Sequence, residues 1–192
     1  MRELVYYVGV SVDGFIAEAD GSFDAFPVVG DHTEVTLGEY ADALPGHVLD
    51  ALDISPPQSR FDTVVMGWNT LRPALDIGIR SPYPHLHQVV ASRRARTVAD
   101  DVRLTQDPVA TIRELKRAEG LDIWLCGGGQ LAGHLASEID RLVLKRYPLA
   151  FGAGIGMFGT GPLAPTPFAL EAVRAYGSGV VIEEYRRLPE AD

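Results

Sequence analysis

The sequence predicts an α/β protein whose sheet is mostly parallel and ends in antiparallel strands. In the first two thirds of the chain, apolar β-prone segments alternate with helical segments, which is typical of parallel sheets covered by helices. After residue 140, three strands follow one another without helices, and Gly177-Ser178-Gly179 indicates a hairpin between the last two. No linker, repeat or low-complexity tract divides residues 1–192, so we expect one domain.

Eight segments are predicted to be strands because they are short, apolar and rich in β-branched or aromatic residues. They lie at residues 4–12, 61–67, 87–92, 102–107, 122–126, 140–151, 168–177 and 179–188. The Asp-Gly pairs at 13–14 and 20–21 predict tight turns or, as the alternative, a mobile loop over a site.

Four helical regions are expected between these strands. Residues 32–60 predict two short helices broken at Pro45, and Pro73 keeps the helix after residue 67 short or kinked. The next helix has Asp107 as its cap and Pro108 at its first position, and Gly120 is expected to end it. A further helix follows the glycines at 127–129.

The composition excludes several classes of function. The formal net charge is −9 and no Lys/Arg cluster is longer than a pair, which argues against a nucleic-acid partner. No apolar run approaches the roughly 18 residues of a membrane span, and the start lacks a signal-peptide pattern, so we expect a cytoplasmic protein without a membrane partner. With one cysteine, Cys126, and five histidines without metal-ligand spacing, neither a disulfide nor a metal site is expected.

Three consecutive glycines, Gly127 to Gly129, stand between a strand and a helix in "IWLCGGGQLAG". The backbone N–H groups of such a turn and the helix dipole converge on one point, which suits a phosphate; a tight corner without chemistry is the alternative. No Lys follows, which excludes a Walker loop. Gly127, Gly129 and Ala132 fit the Rossmann spacing. However, no acidic residue ends the next strand, and antiparallel strands are expected to follow, so a Rossmann fold is not predicted.

Two other strand ends have residues suited to an anion. "VVMGWNTL" places Gly67 after a strand, where Asn69 or Thr70 is expected to cap the helix, or Thr70 to bind a phosphate. "VVASRR" places Ser92 and Arg93 after another strand, where they suit a phosphate monoester unless the arginine is only solvated surface. Because ligands gather at the carboxyl ends of parallel strands, the three corners together predict one anionic ligand.

These motifs occur in an order that resembles a known superfamily. "VGVSVDGFIA", "VVMGWNTL", "VVASRR", "IWLCGGGQL", "DRLVLKRYPLAFGAGIGMFG" and "YGSGVVIEEYRR" span nearly the whole chain, and residues 28–60 match least well. Together they resemble the dihydrofolate reductase-like superfamily. The nearest branch is the one that contains the C-terminal reductase domain of bacterial riboflavin biosynthesis and its stand-alone relatives. The resemblance implies a three-layer α/β/α fold around a mixed sheet, and a homodimer.

The resemblance also implies NADPH as cofactor and assigns residues to its parts. Gly127, Gly128, Gly129 and the N–H groups of Gln130 and Leu131 would hold the diphosphate, Gly67 and Thr70 the phosphate and nicotinamide-ribose side, Ser92 and Arg93 the 2′-phosphate, and Val10, Ser11 and Ile16 the nicotinamide. One position departs from the pattern, because relatives often have Arg where this chain has Trp68. Tryptophan can stack on adenine but donates no charge-assisted bond, so NADPH preference rests on Arg93 and Arg94, and NADH stays possible.

The substrate side has fewer candidates. Asp13 and Asp24 are the two carboxylates that could orient a substrate or relay a proton, although each is equally suited to a turn. Gly154, in "FGAGIGMFG", matches a family loop beside the substrate pocket, with a flexible connection as the alternative. No catalytic proton donor is assigned.

The sequence thus predicts an NAD(P)H-dependent oxidoreductase that transfers a hydride to an electrophilic carbon of a small polar metabolite. The best named reaction is reduction of the 5-amino-6-(5-phosphoribosylamino)uracil type in riboflavin biosynthesis. Two alternatives stay open. One is a pterin-, dihydrofolate- or other small-molecule reductase of the same fold, and the other is a dinucleotide-binding protein without turnover.

Overall fold

An eight-stranded mixed sheet runs through the protein, which we describe from a computed structural model over residues 1–189. The ten strands are β1 (Leu4–Ser11), β2 (Phe15–Ala17), β3 (Phe61–Gly67), β4 (His87–Ala91), β5 (Val102–Thr105), β6 (Asp122–Gly127), β7 (Arg141–Tyr147), β8 (Ile155–Gly156), β9 (Phe168–Ala175) and β10 (Val181–Arg187). The helices are α1 (Thr33–Leu37), α2 (Gly46–Leu52), α3 (Trp68–Asp76), α4 (Pro108–Arg117) and α5 (Gly129–His134), with 3-10 turns at Ala41–Ala43 and Ala136–Glu138.

The strand order in the large sheet is β5-β4-β3-β6-β1-β7-β10-β9. From β5 to β7 all neighbouring strands are parallel, and β10 is antiparallel to both β7 and β9. The mostly parallel sheet with an antiparallel end is thus confirmed. The expectation that the strands after the glycines are all antiparallel is wrong for β7, because α5 carries the chain across to lie parallel beside β1.

Successive side chains of each strand point to opposite sides of the sheet. Both faces carry apolar side chains, and helices cover both. On one face Val5, Tyr7 and Trp124 are buried with Leu71 of α3, and Val35 of α1 packs against the same cluster. On the other face the buried cluster contains Leu4 and Tyr6 of β1, Ile112 of α4, and Ala132 of α5. The three layers predicted by the resemblance are therefore present.

Most predicted turns and caps form, and two do not. The Asp107 carboxylate accepts a hydrogen bond from the Ala110 N–H at 3.0 Å, and Pro108 begins α4 as expected. That helix ends at Arg117 rather than at Gly120. The capping role expected of Asn69 or Thr70 is wrong, since α3 begins at Trp68 with Gly67 as its cap residue and both polar residues lie inside the first turn.

Both Asp-Gly pairs form turns, and the first leads into a small second sheet. The Gly14 N–H donates to the Ser11 carbonyl at 3.1 Å, and the Gly21 N–H donates to the Glu18 carbonyl at 3.0 Å. After the first turn, β2 pairs antiparallel with β8, so that Phe15 lies opposite Gly156. This pairing holds the 149–159 loop against the end of β1.

Candidate cofactor-binding cleft

Three connections at the carboxyl edge of the sheet line one cleft with a volume of ≈ 1040 Å³. They follow β3, β4 and β6, which are parallel neighbours, so their carboxyl ends open toward the same side. The structure therefore brings together the three corners that the sequence singled out. The predicted cofactor residues among its lining are Gly67, Trp68, Thr70, Ser92, Arg93, Gly128, Gly129, Gln130 and Leu131.

The three glycines have different reasons to be glycine. Gly127 has a φ of +130°, a backbone conformation that side chains rarely adopt, and space is open around it. Gly129 lies directly against the backbone of Gly156 and Gly159, and no side chain would fit between them. Packing thus explains Gly129 and the positive φ explains Gly127, which is buried and lies outside the cleft lining, whereas Gly128 lines the cleft.

The N-terminal turn of α5 leaves part of its hydrogen-bonding capacity for a ligand. The Leu131 N–H donates to the Gly128 carbonyl at 3.0 Å, so it is used within the turn. The N–H of Gln130, one residue earlier, has no intrahelical acceptor because it belongs to the first turn. Of the two N–H groups that the resemblance assigns to a diphosphate, Gln130 is the better placed.

The Gly67 corner adjoins the glycine turn. A Cβ on Gly67 would lie 3.8 Å from the Gly127 carbonyl oxygen and from the Gly128 nitrogen. A Cβ on Gly128 would lie 3.4 Å from the hydroxyl oxygen of Thr70. The Thr70 hydroxyl therefore lies at the rim of the glycine turn, where the two corners form a single concave surface.

The serine and arginine corner is a tight turn. The Ser92 hydroxyl donates to the Arg94 carbonyl at 2.9 Å and accepts from the Arg94 N–H at 3.2 Å. Its hydrogen atom is therefore used within the turn, which fixes the direction in which the chain leaves β4. Arg93 and Arg94 are exposed and line the cleft.

Arg96 is a cleft residue that the sequence reading missed. Its guanidinium carbon lies 4.6 Å from the ring centroid of Trp68, and both side chains line the cleft. A guanidinium over an indole face is a favourable cation–π pair. Arg96 thus brings a positive charge next to position 68, where the sequence analysis noted tryptophan instead of arginine. The repeated arginines at 93, 94 and 96 were the available signal.

Arginines 93, 94 and 96 concentrate positive charge in a protein whose net charge is −9. Over residues 1–189, none of the three forms an ion pair, whereas the other cleft lining consists mainly of glycines and uncharged side chains. Unpaired arginine forks suit phosphate oxygens because they donate two parallel hydrogen bonds. The residues present therefore fit a phosphorylated dinucleotide.

A second cavity of ≈ 530 Å³ lies at the opposite end of the sheet and is less suited to an anion. Arg60 and Arg141 line it, but Arg60 pairs with Glu39 and Arg141 pairs with Glu171 at 2.5 Å. Their charge is already neutralised, so we assign no cofactor role to this cavity.

The residues assigned to the nicotinamide lie beside the cleft rather than in its lining. Val10 is 1% exposed, with its side chain in the core under α4 and α5. The buried Ser11 hydroxyl donates to Asp13 at 2.5 Å and accepts from the Phe15 N–H at 2.9 Å. Ile16 is half-buried in β2, and Ile155 of the adjoining β8 lines the cleft. The role of Val10, Ser11 and Ile16 stays a prediction.

Asp13 is engaged in holding a loop. Its carboxylate accepts the Ser11 hydroxyl, the Phe151 N–H at 3.2 Å and the Gly152 N–H at 2.7 Å. These hydrogen bonds, above all the one from Ser11, lower the pKa of Asp13 below its usual value despite some desolvation. An ionised carboxylate with this set of donors is suited to fixing the 151–154 segment.

The other two substrate-side candidates are placed differently. Asp24 is exposed in a turn before Phe26. Gly154 packs against the Ala17 carbonyl and the Phe15 side chain, so close contact with β2 explains its lack of a side chain. The structure does not bring Asp24 and Gly154 into the cleft lining, and their part in substrate binding stays a prediction.

Neither a metal cluster nor a membrane-spanning helix is found in the described part of the chain. No group of three or more His, Cys, Asp or Glu side chains within residues 1–189 has a geometry that could hold a metal ion. Among the same residues, no helix has both the length and the apolarity needed to cross a bilayer.

Comparison with known families decides the relationship. The sequence model of the RibD C-terminal domain matches residues 2–182. The chain belongs to the RibD C-terminal domain family. This places it in the reductase branch of the dihydrofolate reductase-like superfamily, as the motifs predicted.

Relatives and solved structures agree with this assignment. The uncharacterized protein YwjB of Bacillus subtilis (strain 168) is 26% identical over 96% of this chain and 98% of its own length. A Shewanella sp. PV-4 structure, provisionally named a riboflavin biosynthesis protein, has a TM-score of 0.72 at 23% identity and covers 98% of this chain and 100% of its own. Dihydrofolate reductase from Enterococcus faecalis, complexed with NADP(H), has a TM-score of 0.60 at 15% identity, with 96% of each chain covered.

A longer structure also contains this fold. The Thermotoga maritima diaminohydroxyphosphoribosylaminopyrimidine deaminase/5-amino-6-(5-phosphoribosylamino)uracil reductase matches with a TM-score of 0.66 at 14% identity. The match covers 97% of this chain but 57% of the Thermotoga chain. At these identities the solved structures show the shared fold, a dihydrofolate reductase-like mixed sheet, and the family membership indicates a reductase.

Proposed function

We propose that this protein is an NADPH-dependent reductase of a small polar metabolite. The observation that carries the proposal is the single cleft in which the glycine turn, the Gly67 corner and three unpaired arginines meet. A dinucleotide with an extra phosphate has the length and charge to contact all three corners. The family membership supports a reductase, and the arginines favour NADPH over NADH.

In this proposal the glycine turn and the Gln130 N–H hold the diphosphate, and Thr70 contacts its neighbouring phosphate or ribose. Arg93 and Arg96 bind the 2′-phosphate. The Trp68 ring, on which the Arg96 guanidinium stacks, offers a flat face for the adenine. When bound, NADPH supplies the hydride for the reduction. The protein contributes binding, orientation and a route for the proton.

Riboflavin biosynthesis supplies the best substrate class. The family is that of the RibD C-terminal domain, and the named activity of the Thermotoga protein includes reduction of 5-amino-6-(5-phosphoribosylamino)uracil. A pterin or dihydrofolate substrate is the same-fold alternative, supported by the similarity to the Enterococcus dihydrofolate reductase. An NADPH oxidation assay with pyrimidine-ribityl, pterin and quinone substrates separates these classes.

A dinucleotide-binding protein without turnover is the second candidate. The observation in its favour is that neither acidic candidate is a free acid facing the cleft, since Asp13 holds a loop and Asp24 lies on an exposed turn. Tight NADPH binding together with no oxidation by any of the tested substrate classes would favour it.

The cofactor assignment is tested by calorimetric titration of NADPH and NADH into wild type, Arg93→Ala and Arg96→Ala. A lost charge-assisted bond to the 2′-phosphate should weaken NADPH binding by about tenfold to a hundredfold, and NADH binding should change little. Arg117→Ala, which removes an exposed arginine at the end of α4, is the matched control and should affect neither. Equal losses for both cofactors would contradict the arginine assignment, and absence of any dinucleotide binding would contradict the proposed function.

A further inference from the structure

The second cavity, of ≈ 530 Å³ at the end of the sheet opposite the cleft, contains a carboxylate without an ion-pair partner. Asp122, the first residue of β6, lines this cavity together with Arg60 and Arg141. The two arginines are paired, as described above. Over residues 1–189, no basic nitrogen lies within ion-pair distance of the Asp122 carboxylate. The unpaired charge in this cavity is therefore negative.

The ion pairs next to the cavity contain as many positive as negative side chains. In them, Arg2, Arg60, Arg141, Arg174 and Arg186 pair with Glu3, Glu39, Asp62, Glu171 and Glu184. Asp122 is thus the carboxylate in excess at this end of the sheet. A ligand that neutralises it has to bring a positive charge.

Hydrogen bonds use only part of the Asp122 carboxylate. Its Oδ1 atom accepts the Glu3 N–H at 2.8 Å, and among the described residues its Oδ2 atom accepts no hydrogen bond. Burial is the main reason why the pKa of Asp122 lies above its usual value. The Glu3 carboxylate raises this pKa further, while the Glu3 N–H and the charges of Arg141 and Arg2 lower it without cancelling the effect of burial. A cation at Oδ2 would stabilise the ionised form.

The cavity also offers an apolar surface and an open side. Val5, Phe61 and Val143, from three neighbouring parts of the sheet, line it. Ser59 and Gly120 line it as well and are exposed, and Asp122 is partly exposed, so a molecule from solvent can reach the carboxylate. The volume is in the range of pockets that hold small organic molecules.

We propose that the second cavity is a ligand site for a small organic cation with a flat apolar body, and that Asp122 recognises its positive charge. The N–H donors of the ligand bind the free oxygen of Asp122, and its apolar body covers the apolar lining. Anions are disfavoured, because they would have to displace Glu39 or Glu171 from the arginines. The site lies away from the cofactor cleft, so the proposal goes beyond the proposed reductase function and does not depend on it.

Three ring compounds of nearly the same size and shape provide the probes. At neutral pH benzamidinium is positively charged, benzamide is neutral and benzoate is negatively charged. An NMR titration followed at the backbone amides of Gly120 and Asp122 reports binding at this cavity, whereas the cofactor cleft lies at the other end of the sheet. Benzamidinium should bind at least about tenfold more tightly than either of the other probes, because only the cation forms a charge-assisted hydrogen bond with the carboxylate.

Asp122→Asn removes the charge and keeps an acceptor for the Glu3 N–H, so it should abolish the preference for the cation. Its melting temperature should stay unchanged or rise at neutral pH, because the raised pKa means that the ionised carboxylate is less favourable in the folded than in the unfolded chain. Glu119→Gln removes an exposed carboxylate that does not line the cavity, and it is the matched control that should keep the wild-type preference.

Several results would overturn the proposal. They are equal binding of the three probes by wild type, tightest binding of benzoate, and a preference for benzamidinium that persists in Asp122→Asn. Loss of the preference in Glu119→Gln would show that the general negative charge, and not contact with Asp122, attracts the cation, and this also contradicts the site.

A measurement on wild type decides the question even if Asp122→Asn does not fold. Carbon-13 NMR of the Asp122 carboxyl group should show its pKa falling when the protein is saturated with benzamidinium, because a bound cation favours the ionised form. Benzamidinium affinity should accordingly decrease as the pH is lowered through the raised pKa of Asp122. A carboxyl pKa that does not respond to benzamidinium would contradict the contact. Failure of the cofactor proposal is distinguishable from these outcomes, since it appears only in the dinucleotide titrations.

Discussion

At the scale of single residues, Asp42 fixes a segment whose sequence pattern is weak. This fully buried carboxylate accepts hydrogen bonds from four successive backbone N–H groups, at distances of 2.6 Å from Gln58, 3.0 Å from Ser59, 2.9 Å from Arg60 and 3.2 Å from Phe61. The segment enters β3 directly afterwards. A single side chain therefore sets where β3 begins, which is the second strand of the large sheet in chain order.

Replacing Asp42 by Ala should lower the free energy of unfolding by about 3 kcal/mol or more, because buried N–H groups lose their acceptor. Urea denaturation monitored by tryptophan fluorescence measures this loss. Asp50→Ala removes an exposed carboxylate on α2 and should change the stability by less than about 0.5 kcal/mol. A small effect of Asp42→Ala would mean that the segment finds other partners.

Residue identity predicted the cleft better than it predicted individual contacts. Gly67, Thr70, Arg93 and the glycine turn were recognisable because each directly follows an apolar strand, and parallel strands bring their ends together. The stacking of Arg96 on Trp68 joins residues that are far apart in sequence and depends on the path of the turn after β4. The grouping of Asp122 with two arginines around the second cavity depends on which strands are neighbours. Such contacts become visible only in three dimensions.

At the scale of secondary-structure elements, the strands that are buried on both faces were predictable from their apolar runs. The short β2 and β8 were not, because two or three residues give no periodic pattern and their pairing spans about 140 positions. The predicted strand over 140–151 ends at Tyr147, and Pro148 follows it without a donor for the ladder. Pro73 was expected to keep α3 short or kinked; it lies inside the helix, which ends three residues later at Asp76.

The loop that contains Gly154 is held by hydrogen bonds to the Asp13 carboxylate, so the protection of its amides should depend on pH. The folded-state pKa of Asp13 is lowered, so its contribution to stability is present above the ordinary carboxyl pKa of about 3.9 and is lost as the pH falls through the lowered value. Asp13→Asn should therefore increase hydrogen exchange of the Phe151 and Gly152 amides by about tenfold at neutral pH, since the amide side chain is a weaker acceptor.

Exchange monitored by NMR, corrected for intrinsic rates, measures this effect. Wild type should remain protected at pH 5, and its protection should decrease as the pH is lowered below the ordinary carboxyl pKa and through the lowered value. Asp24→Asn, at the other carboxylate candidate, has no contact with this loop among the described hydrogen bonds and should leave the two amides unchanged. Unaltered protection in Asp13→Asn would show that β2 and β8 hold the loop without the carboxylate.

At the scale of the whole molecule, the two edges of the large sheet differ. The β5 edge is four residues long and carries Arg103, which pairs with Glu114 at 2.8 Å. The β9 edge is eight residues long, with Leu170 and Val173 exposed by 55% and 53%. A long edge strand with exposed apolar side chains favours association with another strand. The homodimer implied by the family resemblance stays a prediction, and β9 is the edge at which we expect it.

If β9 forms the interface, light scattering coupled to size-exclusion chromatography should give twice the 20.8 kDa mass of one chain. Val173→Lys should raise the dimer dissociation constant by about tenfold or more, because an apolar contact is lost and two symmetry-related ammonium groups are brought together. Val12→Lys is the matched control, since Val12 is also 55% exposed but lies beyond β1 at the carboxyl edge. If the dimer persists in Val173→Lys and dissociates in Val12→Lys, the interface lies on the cleft side of the sheet instead of at β9. A monomeric wild type would contradict the homodimer prediction.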